Sequence, residues 1–265
     1  MRYICDHDLH IHSNRSACVR NDPEQTPERM LHYAKENGFH TVCVTDHFWD
    51  EDILCISDWH RQHTFERISS VIPLPQEENI RFLFGCETDL DKNGILGLSR
   101  ERMEAFDFIV VPTTHMGGGF AVPQEDADSP SAKAEHWVRR LDAVLHMDLP
   151  FHKIGIAHLA YPQMIKPREN YLEMLSMISS PEMERLFTRA AALGCGIELN
   201  ASDMSFSEKE VEIVLRPFRI AKSCGCRFYC GSDAHHGPRF EVAKGLFENA
   251  VTLLELTEED KFYLG

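Results

Sequence analysis

Six short segments carry most of the side chains able to hold a metal or move a proton. They are Asp8-Leu9-His10-Ile11-His12, Thr45-Asp46-His47, Gly85-Cys86-Glu87, Thr114-His115, Ala157-His158 and Gly231-Ser232-Asp233-Ala234-His235. Imidazole and carboxylate together suit zinc, iron or manganese. His10 and His12 are two residues apart, so on an extended strand both side chains point to one face; the same holds for Asp233 and His235. One metal takes about four to six ligands. This set offers eight candidates, so two or three divalent ions are expected rather than one. Glu87 is placed to bridge two of them. Singly, each residue has a plainer reading: His47 or His115 as a satisfied structural histidine, Glu87 as a solvent-facing strand end, Asp233-x-His235 as a turn. Their joint placement is what argues for a site.

Each segment stands at the end of an apolar, strand-like run. The runs are Tyr3 to Leu9, Thr41 to Thr45, Arg81 to Cys86, Phe108 to Val111, Lys153 to Ala157, Gly196 to Leu199 and Arg227 to Cys230. Helical patterns separate several of them: Pro27 to Asn37, with Thr26 as cap and Gly38 as stop; Pro181 to Leu193, stopped at Gly194; and about Ser207 to Ser223. The tail from Val242 reads as partly helical. Strands alternating with helices predict a parallel sheet, and seven of them a barrel, in one domain over residues 1–265. All but the sixth run deliver a metal-capable side chain at the carboxyl end, the face on which parallel barrels build active sites. Two long irregular stretches, Phe48 to Asn79 and Gly117 to Ala134, are expected to be lids or pocket walls. His32, His136, His146 and His152 fall on predicted helices or loops and are expected at the surface. His60 and His63 lie in the first insertion.

The 27 Lys and Arg face 42 Asp and Glu, a net charge of −15. That argues against a nucleic-acid or anionic-membrane surface, which needs excess basic residues. A small phosphorylated substrate remains compatible, because a bound metal outweighs distant carboxylates locally. No apolar run approaches a membrane span, and the first residues lack the apolar stretch of a signal peptide. The nine cysteines include no CxxC pair, so a reduced, cytoplasmic protein with mostly buried thiols is expected.

At the six segments quoted above, the chain resembles the PHP family, named for the polymerase and histidinol phosphatase domain. The resemblance runs from about Asp8 to Gly245. It implies a distorted, TIM-like (β/α)7 barrel with a trinuclear metal site. By the family's pattern one metal would take His10, His12, Glu87 and Asp233, a second Glu87, His115 and His158, and a third His47 and His235. The family usually places a His or an Asp a few residues after the first motif as a further ligand of the third metal; here the nearest candidate is Cys18. A thiolate binds zinc or iron. Three outcomes stay open for that position: loose binding, preference for a softer metal, or none.

The resemblance implies hydrolysis of a small phosphoester, as in the stand-alone histidinol phosphatases, by a hydroxide bridging the metals. Glu87, Asp233 and His235 are expected at the heart of the chemistry. Arg15, Arg61 and Arg239 lie in loops that could supply the fork a phosphate favours. Asp46 and His236 are candidates for protonating the leaving group. Two rival readings remain. An amidohydrolase-type hydrolase would carry a lysine on the fourth strand, and Phe108 to His115 has none. A non-catalytic metal-binding PHP domain should have lost ligands, and eight are retained.

Overall fold

Seven strands alternate with helices along the whole chain. The computed structural model describes residues 1–19, 22–54, 57–116, 121–126 and 128–264. The strands are β1 (His7–Ile11), β2 (Thr41–Val44), β3 (Arg81–Glu87), β4 (Phe108–Pro112), β5 (Ile154–Ala157), β6 (Gly196–Asn200) and β7 (Arg227–Gly231). They pair in sequence order, every pair parallel. The ring closes between the ends of the first and last strands, where His12 N donates to Ala234 O (3.1 Å) and Asp233 N donates to His10 O (2.8 Å). The result is a nearly closed, distorted (β/α)7 barrel.

The longer helices are α1 (Pro27–Asn37), α5 (Pro130–Leu145), α6 (Arg168–Met177), α7 (Ser180–Leu193), α9 (Arg216–Ser223) and α10 (Gly237–Leu253). Shorter ones are α2 (Asp58–Arg61), α3 (Phe65–Ser69), α4 (Arg100–Met103) and α8 (Val211–Val214). Local chemistry sets several ends. Thr26 Oγ1 accepts from Arg29 N at the start of α1, Pro27 occupies its first turn, and Gly38 ends it at φ 65°. That left-handed conformation suits glycine. Ser179 and Gly194 do the same for α7. No described helix is long and apolar enough to cross a membrane.

Some expectations need correcting. The first strand begins at His7 rather than Tyr3. The helix expected over 207–223 is two, α8 and α9, separated where Pro217 enters the first turn of α9. The last helix starts earlier than Val242, at Gly237. The stretch 117–134 is not wholly irregular: α5 begins at Pro130, while residues 117–120 and 127 lie outside the described residues. Within Phe48–Asn79 the chain forms α2 and α3; Cys55 and Ile56 lie outside the described residues.

The core has two layers. Inside the barrel, Leu9, Cys43, Leu83, Phe108, Val110, Ala157 and Tyr229 pack together, and Phe262 of the C-terminal tail closes the lower end. A larger shell between strands and helices includes Ile11, Val42, Ile109, Ile156, Ile197 and Phe228. On β1 this division breaks the two-residue period, since Leu9 faces in and Ile11 faces out together with a register shift: Asp8 pairs with Val42, but Ile11 with Val44. One extra residue in β1 makes a bulge, a device that re-aims side chains. Above it, His10 and His12 turn into the mouth of the barrel.

Interior packing leaves no room at Gly155, where a Cβ would lie 2.5 Å from both Phe108 Cζ and Tyr229 Oη. Gly155→Val is therefore expected to lower unfolding free energy by about 1–3 kcal/mol or more. Urea denaturation measures this, and an unchanged midpoint would contradict the filled interior.

Candidate metal centre

The mouth of the barrel gathers side chains from the ends of six strands. Asp46, after β2, accepts from Ser13 N (2.6 Å) and Ser13 Oγ (2.5 Å). This ties the loop after β1 to the end of β2 and leaves His47 to face the centre. Glu87 is the last residue of β3 and is 1% exposed. After β4, Thr114 Oγ1 donates to His158 O (2.6 Å), locking the loop of His115 to that of His158. His158 and Asp233 have positive φ, 60° and 51°. Non-glycine residues rarely adopt this conformation, and it concentrates at functional sites.

Glu87 sits between five imidazoles. Its Oε2 is 3.0 Å from His47 Nδ1, 3.2 Å from His12 Nε2 and 3.5 Å from His10 Nε2. Its Oε1 is 3.7 Å from His158 Nε2 and 3.9 Å from His115 Nε2. Asp233 faces the same space: Oδ1 lies 3.1 Å from His12 Nε2 and 3.4 Å from His235 Nδ1, and Oδ2 3.7 Å from His158 Nε2. His10 Nε2 and His12 Nε2 face each other at 3.2 Å.

The His10–His12 pair is within hydrogen-bond geometry, but the contacts to Glu87 and Asp233 are near without forming hydrogen bonds. Among the described residues, neither Glu87 oxygen and neither His158 nitrogen makes a hydrogen bond, although all four atoms are buried. Buried polar atoms are ordinarily satisfied. Lone pairs that converge without bonding one another fit a cation held between them. Three sets of ligand atoms lie within 4.8 Å of one another: His10, His12 and Asp233; His10, Glu87 and His158; and His12, Cys18, His47 and His235. The donor set therefore fits divalent metals. The grouping differs in detail from the family pattern: Cys18 joins His47 and His235 together with His12, whereas His115 stands at the edge, outside all three sets.

Electrostatics follow from this crowding. Burial alone would push the Glu87 carboxyl up, but the His47 and His10 imidazoles hold it well below the usual range. Asp233 is lowered the same way, chiefly by His235 and His12 against burial. Burial disfavours a charged His158, but Glu87, Glu198 and Asp233 raise its imidazole to about 9. Burial opposes ionisation of the Cys18 thiol, but His12 and His47 pull it down to about 2. Carboxylates and a thiolate are the forms that bind metals.

A further ring of carboxylates holds the imidazoles. Glu198 on β6 accepts from His10 Nδ1 (2.6 Å), His158 N (3.1 Å) and Asn200 Nδ2 (3.1 Å), and is fully buried. Asp89 accepts from His115 Nδ1 at 2.9 Å. Such partners orient the ring so that the other nitrogen faces the metal. His235 Nδ1 donates instead to Asp233 O (2.8 Å). The sequence reading passed over Glu198 because the sixth strand ends without a histidine or aspartate. A signal was present: Glu198 is the one charged residue in Gly196–Asn200, and the strand period puts it with Gly196 and Asn200 on a single face. Gly231 beside it has no side chain, and a Cβ there would collide with Glu198 Oε1.

A cavity of about 390 Å³ opens over the cluster, walled by Trp59, Tyr161, Gln163, Thr114, Met116 and Cys18, with Glu87, Asp233 and His235 at its base. Arg15, Arg61 and Arg239 are not among its lining residues. Arg61 is exposed on α2 near Asp58, Arg239 donates to Ser202 Oγ, and the Arg15 side chain is exposed. Asp46 is committed to Ser13, and His236 is exposed ahead of α10. The first insertion does form a wall: Trp59 meets the His47 ring edge-on with centroids 4.9 Å apart. His60 and His63 are buried behind it. His136 is buried too, on α5, contrary to the surface position expected for it, whereas His32, His146 and His152 are exposed.

Comparison with known proteins bears on the family and the fold. The sequence model of the PHP domain matches residues 8–202. The fold is similar to the histidinol phosphate phosphatase of Lactococcus lactis, solved with zinc, L-histidinol and phosphate: TM-score 0.60, 16% identity, 94% of each chain covered. A weaker likeness, TM-score 0.41 and 10% identity over 96% of each chain, is to a candidate α-L-fucosidase of Bacteroides thetaiotaomicron. No curated protein matches the chain. With the match running from the first strand-end motif through the strand that carries Glu198, the chain belongs to the PHP domain family.

Proposed function

We propose that this chain is a metal-dependent phosphoesterase, with phosphomonoester hydrolysis of a small phosphorylated metabolite its favoured reaction. One PHP-type domain spans residues 1–265, and two or three zinc, iron or manganese ions are held by His10, His12, His47, Glu87, His115, His158, Asp233 and His235. The observation that carries this reading is Glu87: a buried carboxylate with five imidazoles around its two oxygens and, among the described residues, no hydrogen bond to either. The zinc, L-histidinol and phosphate bound by the Lactococcus lactis protein support the substrate class. The eight described cysteines, all unpaired, suit the reducing cytoplasm.

When bound, divalent ions supply a nucleophile from water at neutral pH and neutralise charge developing on the phosphoryl group. The protein's own residues position and enclose. Glu87 and Asp233 offer two oxygens each to the shared space, and Glu198 and Asp89 fix the rotation of His10 and His115. Trp59 and Tyr161 exclude water from the sides of the cavity. Its lining contains no Lys or Arg among the described residues, so phosphate recognition falls to the metal cluster and to neutral donors such as the Gln163 amide.

Metal-reconstituted protein is expected to release phosphate from histidinol phosphate or an aryl phosphate and to leave an aryl acetate untouched. Turnover of the acetate alone would favour the amidohydrolase reading, and stoichiometric metal without turnover on a broad phosphoester panel the non-catalytic one. His10→Ala and Asp233→Ala are each expected to abolish phosphate release and reduce bound metal; retention of both would refute the site. Glu198→Gln keeps the shape but weakens the hold on His10. It is expected to cost about 10–100-fold in metal affinity or activity, read by metal titration and initial rates, and wild-type values would remove its orienting role.

A further inference from the structure

We infer that one metal position in this centre is thiolate-ligated, formed by Cys18 with His47 and His235, and that it selects a softer ion than the position around Glu87 and Asp233. This rests on the metal-centre reading above and deepens it. The Cys18 sulfur and the nearest ring nitrogens of His12, His47 and His235 lie within 4.8 Å of one another, a spread that one ion can bridge. The histidines beside it have spare capacity: His12 Nδ1 and His47 Nδ1 are buried and make no hydrogen bond among the described residues. The His12 ring packs against His47 and His235 at centroid distances of 4.7 and 4.3 Å, so the imidazoles form a wall facing the sulfur.

The loop carrying Cys18 is pinned from several sides. Ser13 is held by Asp46, Ser16 N donates to Ser13 O (3.0 Å), and Ala17 N donates to His63 Nε2 (3.1 Å). Cys18 Sγ itself lies 3.1 Å from Ser16 Oγ, a hydroxyl able to donate back to a thiolate. His63 comes from the Phe48–Asn79 insertion, so that insertion helps to fix the thiol as well as wall the cavity. A sulfur preorganised in this way is a ligand rather than a stray thiol. The two kinds of position then differ in softness. The groups around Glu87 and Asp233 are all nitrogen and oxygen, a donor set that accommodates manganese as well as zinc. A site with nitrogen and thiolate favours zinc or ferrous iron.

X-ray absorption on the zinc-loaded wild-type protein is the test. A sulfur scatterer at about 2.3 Å from zinc is expected, and a shell of nitrogen and oxygen alone in fully loaded protein overturns the inference. Cobalt substitution gives a second readout. The wild type should show sulfur-to-cobalt charge-transfer absorption in the near ultraviolet. Cys18→Ser should lose that band and one equivalent of metal, and Cys18→Asp should regain the metal without the band. A band that persists unchanged in Cys18→Ser also overturns it. Phosphate release assayed in parallel separates the two claims. Inactive protein with the thiolate band removes the phosphoesterase reading and leaves this one standing, and active protein with only nitrogen and oxygen ligation does the reverse.

Discussion

Both oxygens of Glu87 are buried at the mouth of the barrel and face imidazoles from β1, β2, β4 and β5 without bonding any of them. Burying a carboxylate without partners is costly, and burying a cluster of histidines beside it is no cheaper. The arrangement becomes stable when cations sit among the lone pairs. Much of the upper barrel can be read as satisfying that one constraint. The bulge in β1 turns His10 and His12 inward, the positive φ at His158 and Asp233 brings both around to the centre, and Ser13–Asp46 and Thr114–His158 tie neighbouring loops together.

The lower barrel performs a different task in the same space. Large rings from Phe108, Tyr229 and Phe262 fill it, and glycines at 155 and 196 give them room. A solid interior gives the strand ends a rigid base. It also places Glu198 at the boundary between the two layers, where one side chain reaches His10 on β1 and the backbone of His158 just after β5. The anionic surface of the protein does not set the character of the site, because the groups facing the cavity meet the ligand at close range and the remaining charges are screened.

The eight candidate ligand positions were legible because each lies at or just past a strand end, and a parallel barrel brings strand ends to one face. Helix α1 was legible from Thr26, Pro27 and Gly38. Helix α5 was not, because its buried face carries Lys133, His136 and Arg140 among the apolar residues, which hides the stripe. Those side chains are satisfied by backbone carbonyls and Asp126 that only the fold supplies: Lys133 by Met116, Arg140 by Thr113 and Leu90. The candidate substrate arginines show the opposite case. Residue type suggested a role in loops, but Arg61 lies on α2 and Arg239 on α10, and neither they nor the exposed Arg15 line the cavity. Cys18 was legible only as a departure from a pattern, and its neighbours His12, His47 and His235 became apparent in three dimensions.

Elemental analysis of the wild-type protein, purified without chelator or affinity tag and compared with protein reconstituted in zinc, iron or manganese, tests the central claim most directly. The account predicts two or three equivalents of divalent metal per chain. Protein that holds no metal even after reconstitution would contradict it, because nothing else described in the structure satisfies the buried Glu87 oxygens and His158 nitrogens at the mouth of the barrel.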